Sequence, residues 1–224
     1  MRIILSSIMP DLADAFRRYC GELEDVEVIQ GDILELEVDA VVSPANSFGF
    51  MDGGIDMAYT NHFGWKVEQR LQQIIERKFD GELLIGQAQI VPTSNDRIPY
   101  LIAAPTMRVP MVLTRNTVNP YLAARAVLKH IEDGCPPIFQ QDGLTDEVGR
   151  YVDDAITIRR SPTINTQVHS VAFPGLGTGI GQVPPNVCAH QVKCAIENVR
   201  AGDVPYPHSL GNAVERHRGL FPNE

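Results

Sequence analysis

Short apolar runs rich in β-branched residues alternate along this chain with longer amphipathic runs, and this alternation most constrains the fold. The short runs span residues 2–6, 26–30, 39–42, 86–92, 100–104 and 168–173, and each has the length of a strand. Helix-like runs lie at residues 10–20, 55–79, 119–131 and 184–199, and the second run is either one long helix or two short ones broken at Gly64. The pattern predicts an α/β fold, a three-layer α/β/α sandwich with a mixed, mostly parallel central sheet.

A single domain is predicted for residues 1–224, because a chain of this length that is 44% hydrophobic can bury a full core. Residues 133–167 interrupt the pattern and are interpreted as an insertion, with a possible helix at residues 145–156. Residues 201–224 form a tail rich in Pro, His and Arg. Such a tail either docks on the domain or frays.

The charge of the chain bears on its partners. A formal net charge of −9 argues against a broad basic face, which a nucleic-acid partner would need to displace phosphate counterions. Nucleic acid is therefore not the expected partner. A small anionic molecule remains compatible with this charge, because backbone N–H groups and helix N-termini bind phosphate locally.

The cysteines and the first residues argue against a metal site, a signal peptide and a membrane span. Cys20, Cys135, Cys188 and Cys194 form no C-x-x-C pair and do not alternate with the six histidines as metal ligands would, so reduced thiols and no metal site are predicted. The apolar run at residues 1–7 is too short for a signal peptide or a membrane span. The sequence therefore predicts a cytoplasmic protein without a membrane partner.

Residues 43–56 form a polar, glycine-bearing loop directly after a predicted strand. The loop carries the amide of Asn46, the adjacent glycines Gly53 and Gly54, and the carboxylate of Asp56 at a helix start. An amide can hold ribose hydroxyl groups, bare backbone allows close approach, and a carboxylate can orient a water. The helix dipole predicts an ionised Asp56, and the alternative role for this residue is stabilisation of the helix N-terminus alone.

A second loop, residues 174–181, follows another predicted strand and has four glycines within residues 175–181. Glycines let several N–H groups turn toward one anion. The G-x-G-x-G-x-G spacing lacks the Gly-Lys-Ser/Thr ending of a P-loop and is out of register with G-x-G-x-x-G, and a flexible turn is the alternative. In a mostly parallel sheet, ligands bind beyond the carboxyl ends of the strands. Because both loops follow strands, they are expected to meet there and to enclose a phosphate-bearing ligand.

Other residues could complete such a site. Asp32, after Gly31 at a strand end, could accept a hydrogen bond from an amine such as adenine N6, with the N–H of Ile33 beside it, although this pair is also typical of a turn. Phe48 and Phe50 could stack on a base or ribose. The connection at residues 105–118 is longer than a minimal loop, and such loops are often functional.

Four motifs, in this order, resemble the macrodomain family of ADP-ribose-binding modules: Gly31-Asp32-Ile33, the DAVVSPAN run at residues 39–46, the GGID run at residues 53–56 and the VAFPGLGTGIG run at residues 171–181. The resemblance covers residues 26–199. It implies that Asp32 and Ile33 contact adenine and that Asn46 binds the distal ribose. It also implies a diphosphate site formed by Gly53, Gly54, Ile55, Gly175, Leu176, Gly177, Thr178, Gly179, Ile180 and Gly181.

The spacing from Asn46 to Asp56 is similar to that of macrodomains that hydrolyse mono-ADP-ribose from acidic side chains. It implies that Asn46 and Asp56 are catalytic, with no cofactor or metal. The alternatives are a non-catalytic ADP-ribose reader and an enzyme acting on ADP-ribose 1″-phosphate or O-acetyl-ADP-ribose. Ser43 stands where the family more often has Asn, and Asp52 where it more often has Gly, so the substrate is left open.

Overall fold

The computed structural model describes residues 1–133, 168–202, 204 and 206–222. The predicted insertion, with its possible helix, lies almost entirely outside these residues, and its role stays a prediction. The strands among the described residues are β1 (Arg2–Ser7), β2 (Val26–Gln30), β3 (Ala40–Ser43), β4 (Gln89–Pro92), β5 (Tyr100–Ala103) and β6 (Ser170–Phe173). The α-helices in the same part of the chain are α1 (Pro10–Cys20), α2 (Gly54–Phe63), α3 (Lys66–Lys78), α4 (Asn119–Asp133), α5 (Pro185–Arg200) and α6 (Leu210–Arg218).

The strands form one sheet in the order β2-β1-β6-β3-β5-β4. β4 is antiparallel to β5, and the other pairs of neighbouring strands are parallel. The mixed, mostly parallel sheet is therefore confirmed. Because the parallel strands run in the same direction, their carboxyl ends meet along one edge, where the loops after β1, β2, β3, β5 and β6 lie together.

Two hydrophobic clusters cover the two faces of the sheet, which confirms the three-layer arrangement. Side chains alternate between the clusters along each strand, as the two-residue period of a strand requires. In β1, Leu5 lies with α1, α4 and α5, whereas Ile4 lies with α2 and α3. In β6, Phe173 and Ala172 divide in the same way.

Local sequence signals explain where several elements begin and end. Gly64 has φ +85°, a value that favours glycine, and α2 ends there, so the long amphipathic run forms two short helices rather than one. β4 begins three residues later than predicted because the chain turns at residues 84–87, where the Gln87 N–H bonds to the Leu84 carbonyl. Asp39, predicted to open β3, instead uses Oδ2 to accept 2.8 Å bonds from the backbone N–H of His169 and of Ser170.

The tail contains a helix that the sequence pattern did not predict. Ser209 caps α6 by accepting a hydrogen bond from the Asn212 N–H. The tail touches the domain where His190 Nε2 of α5 lies 2.9 Å from the Gly219 carbonyl oxygen, so it docks at this point. α6 itself has no buried residue.

Two further findings concern the cysteines and the possibility of a membrane span. Cys20, Cys188 and Cys194 are free thiols, and burial raises the pKa of both Cys20 and Cys188 to about 12. Within the part of the chain that the structure describes, no helix combines the length and the apolar character needed to cross a membrane.

Candidate functional site

A cleft of about 520 Å³ lies at the edge of the sheet where the parallel strands end. Its size falls in the range of about 300–1,000 Å³ typical of small-molecule sites. Its walls come from five separate parts of the chain, each at or just after the end of a different strand. The lining residues fall within the ranges 6–12, 31–34, 44–58, 106–110 and 174–181.

The glycine-rich loop forms the middle wall, because β6 is the third strand in the order of the sheet. Gly177 has φ +69°, and its carbonyl accepts a hydrogen bond from the Val183 N–H. The Gly181 carbonyl accepts a 3.0 Å bond from the Leu113 N–H, which joins this loop to the long connection after β5. The loop is therefore held in place from two sides.

Leu176 departs from the other residues expected in this loop. Its side chain is fully buried in the core and does not line the cleft. Its N–H lies 3.4 Å from the sulfur of Cys188, so it points into the protein. The remaining residues of 175–181 all line the cleft.

Asp32 lies at the β2 end of the cleft. Its Oδ1 accepts a 2.9 Å bond from the Leu34 N–H and caps a single 3₁₀ turn, Ile33–Glu35. The turn-forming alternative for Asp32 is thus present in the structure. The side chain remains exposed and lines the cleft, so capping does not remove it from a ligand's reach.

Asn46 lies on the β3 side and organises its own loop. Its Nδ2 donates a 2.7 Å bond to the Phe50 carbonyl, and its Oδ1 accepts bonds from the N–H groups of Phe48 and Phe50. An amide is suited to this position because it supplies a donor and an acceptor to the same turn. Asn46 is 8% exposed and lines the cleft.

Asp56 occupies the first turn of α2 and lines the same side of the cleft. Its Oδ1 accepts a 2.6 Å bond from the hydroxyl group of Ser43. Burial raises the pKa of Asp56 to about 7, and the Ser43 hydrogen bond opposes this rise. Desolvation of this 8% exposed carboxyl opposes the ionisation expected from the helix dipole, because burial disfavours the charged form.

The cleft has an unusual charge. Its described lining residues include three carboxylates, Asp32, Asp52 and Asp56, and no Lys, Arg or His. Nearby Arg108 is bound to both carboxylate oxygens of Glu82, at 2.7 and 3.2 Å. An anion in this cleft would therefore be bound by backbone N–H groups.

Aromatic and apolar side chains surround the opening. Phe50 is 55% exposed and lines the cleft, whereas Phe48 lies under the guanidinium group of Arg108. Phe173 is buried in the core. Ile8 and Ile180 also line the cleft and are more than half exposed.

Some wall residues were not predicted from the sequence. They include Ser6 and Ser7 at the end of β1, Ile8 and Met9 after it, and Thr106, Met107 and Pro110 after β5. The second group adjoins the predicted loop, because Asn46 and Met107 form a parallel bridge and the Ser47 N–H bonds to the Arg108 carbonyl. The length of the connection at residues 105–118 was the available signal for that wall.

Comparison with known proteins agrees with this architecture. The family model for the Macro domain matches residues 42–192. An uncharacterised protein of Aquifex aeolicus is 26% identical over 176 residues, covering 79% of this chain and 81% of the relative. A macro domain-containing protein of Caldanaerobacter subterraneus is 35% identical over 81 residues, covering 36% of this chain and 45% of the relative.

Solved structures share the fold. The macrodomain of Mycobacterium tuberculosis DarG superposes with a TM-score of 0.53 at 18% identity, covering 75% of this chain and 88% of that one. A mutant of the Oceanobacillus iheyensis macrodomain, solved with ADPR, superposes with a TM-score of 0.54 at 16% identity, covering 75% and 74%. The family match extends from the end of β3 through the glycine-rich loop into α5, and on this evidence the chain belongs to the Macro domain family.

Proposed function

We propose that the cleft binds ADP-ribose. The observation that carries the proposal is the continuity of one cleft from Asp32, past the glycine-rich loop, to Asp56. An elongated molecule with a base at one end, a diphosphate in the middle and a sugar at the other end matches this order of chemical groups. The fold neighbour solved with ADPR supports the choice of ligand.

In this proposal Asp32 accepts a hydrogen bond from the adenine amine, and the N–H of Ile33 lies beside the base. The diphosphate is bound by backbone groups of residues 53–55 on one side and 175–181 on the other. Such groups bind an anion without a cationic side chain. Asn46, whose Nδ2 has a second N–H besides the one given to Phe50, faces the distal ribose.

We further propose that the protein hydrolyses a mono-ADP-ribosyl linkage, with Asp56 as the base. Asp56 takes a proton from a water, the water oxygen bonds to the anomeric carbon of the distal ribose, and the bond from that carbon to the carrier breaks. The carrier leaves with the electron pair of the broken bond. A carboxyl with a pKa of about 7 is suited to accept a proton near neutral pH.

The alternative is a reader that binds ADP-ribose without turnover. One observation favours it: the Asp56 carboxyl is 8% exposed and already bound to Ser43, which limits its access to a water. The absence of Lys, Arg and His from the described cleft lining disfavours a third candidate, processing of ADP-ribose 1″-phosphate, because that ligand carries an additional phosphate.

Calorimetric titration with ADP-ribose tests the binding proposal. Asp32→Ala is expected to weaken binding about tenfold or more, through loss of a hydrogen bond to a charged group. Glu35→Ala is the matched control, since Glu35 is an exposed carboxylate of the same 3₁₀ turn and does not line the cleft. Absence of binding by the wild-type protein would refute the proposal.

Turnover of a mono-ADP-ribosylated peptide tests the catalytic part. Asp56→Asn keeps the size of the side chain and its acceptor for Ser43 but removes the base. It is expected to bind ADP-ribose and to lose at least about 100-fold in turnover, the usual range for a general base. A wild-type protein that binds ADP-ribose tightly but turns over no such peptide would establish the reader instead.

A further inference from the structure

Ser43 is the last residue of β3, at the point where the strand enters the loop of the cleft. Its side chain is completely buried, and its hydroxyl group donates the 2.6 Å bond to Asp56 Oδ1. The bond joins the end of a central strand to the first turn of α2, across the 43–56 loop. It therefore fixes the Asp56 side chain relative to the sheet.

The surroundings of Asp56 make this bond chemically important. Burial is the cause that raises the pKa of Asp56, and the Ser43 hydroxyl is the group that lowers it. Tyr59, on the same helix, bonds instead to the Val42 carbonyl, and burial raises its pKa well above the ordinary range, so it is neutral. The other carboxylates that line the cleft are Asp32 and Asp52, and the causes of the Asp56 shift are burial and the Ser43 bond.

Ser43 acts on a ligand only through Asp56. Its side chain is fully buried and does not line the cleft, so its hydroxyl group cannot contact a ligand there. A hydroxyl that donates to a carboxylate stabilises the ionised form and restricts the carboxylate to one orientation. Both effects favour a carboxylate that accepts a proton from a water.

We propose that Ser43 is a positioning residue, whose hydroxyl holds the Asp56 carboxylate in its orientation at the cleft wall and stabilises its ionised form. The catalytic meaning of this role rests on the proposed function of Asp56. The physical role can be tested without any turnover.

The test is a ¹³C NMR titration of the aspartate carboxyl groups in the full chain, with Asp56→Asn used to assign the Asp56 resonance. Ser43→Ala is expected to raise the titration midpoint of Asp56 by about one pH unit or more, since the lost hydrogen bond is to a charged group. Ser47→Ala is the matched control, because Ser47 is a buried serine of the same loop and Ser43 supplies the side-chain bond to Asp56. An unchanged midpoint in Ser43→Ala would overturn the proposal.

Ser43→Thr keeps the hydroxyl group and is expected to restore the wild-type midpoint. If its additional methyl group unfolds the protein, the proposal is tested by comparing the Asp56 midpoint in Ser43→Ala with that in Ser47→Ala. With a turned-over substrate, the acid limb of the kcat profile is expected to move upward with the NMR midpoint in Ser43→Ala. A limb that stays in place while the midpoint moves would overturn the catalytic role of Ser43.

These results separate the two proposals. A wild-type protein that does not bind ADP-ribose would refute the whole proposed function, and one that binds it without turnover would refute only the catalytic part. In both cases the NMR titration still tests the role of Ser43. If Ser43→Ala raises the titration midpoint of Asp56 but the wild-type protein turns over no substrate, the effect of Ser43 on Asp56 is retained and its catalytic role is refuted.

Discussion

Glu68 of α3 holds the backbone of Met51, with its Oε2 accepting a 2.6 Å bond from the Met51 N–H. Met51 belongs to the loop between Asn46 and Asp56, and its own carbonyl accepts a bond from the Thr60 hydroxyl group. Neither Glu68 nor Thr60 lines the cleft. The wall that carries the proposed catalytic residues is thus fixed from behind by helices α2 and α3.

Glu68→Ala is expected to lower the free energy of unfolding by about 1–3 kcal/mol, because it leaves the Met51 N–H without its charged acceptor. It is also expected to weaken ADP-ribose binding several-fold through loosening of the loop. Glu68→Gln keeps an acceptor oxygen and should recover most of both losses. Denaturant unfolding and calorimetry measure the two effects, and Gln69→Ala, an exposed residue of the same helix, is the control.

Asp56→Asn is expected to stabilise the protein above neutral pH. The folded-state pKa of Asp56 is raised from 3.8 to about 7, so its contribution to stability is complete below pH 4 and is lost as the pH rises to 7. Removing the carboxyl should raise the free energy of unfolding at pH 8 by roughly 2–4 kcal/mol. Unfolding of both proteins at pH 5 and pH 8 checks this, and an equal difference at the two pH values would contradict it.

Asp52→Asn is expected to strengthen binding of ADP-ribose about two- to fivefold, because an exposed carboxylate on the cleft wall repels the diphosphate by about 1 kcal/mol or less. The gain should be larger for ADP-ribose 1″-phosphate and should shrink at high salt. Asp96→Asn is the control for the change in net charge, since Asp96 lies in the turn before β5, at the opposite edge of the sheet. Equal gains in both variants would refute a local effect.

Substitution by alanine is expected to have different effects at two glycines of the glycine-rich loop. A Cβ at Gly181 would lie 2.4 Å from the Gly177 carbonyl oxygen, so Gly181→Ala must distort the loop and should reduce both stability and binding. A Cβ at Gly179 would meet nothing within 4 Å, so Gly179→Ala should unfold like the wild type. If the diphosphate lies against this backbone, Gly179→Ala should nevertheless weaken ADP-ribose binding, and calorimetry would show it.

Much of the fold was predictable because the strands differ from the helices in composition as well as in period. Val41 and Val42 of β3 read as strand on β-branching alone, and Gly64 marked the end of α2. α6 was not predicted because it packs no apolar face against the domain. Its apolar residues Leu210 and Val214 are exposed, so the helix has no buried apolar stripe. The serine cap at its start was the remaining local signal.

The site was predictable where a loop combined glycine with polar residues directly after a strand. Ile8 and Met9 carry no such signal, and only the position of β1 beside β2 and β6 brings them to the cleft. The raised pKa of Asp56 was not predicted, for a related reason. Burial is a property of the assembled layers, whereas the helix dipole can be read from neighbouring residues in the sequence.

Five strands far apart in the chain must pair before the five walls of the cleft face one another. A fragment that lacks any one of these strands therefore lacks a wall of the cleft, and the walls meet only after the long-range pairing that slows sheet formation. A ligand held by all five walls binds the native state and not the unfolded chain. At a concentration of 100 times its Kd it would stabilise the whole domain by about 2.7 kcal/mol, so an upward shift in Tm would reveal a ligand of this cleft before any activity is known.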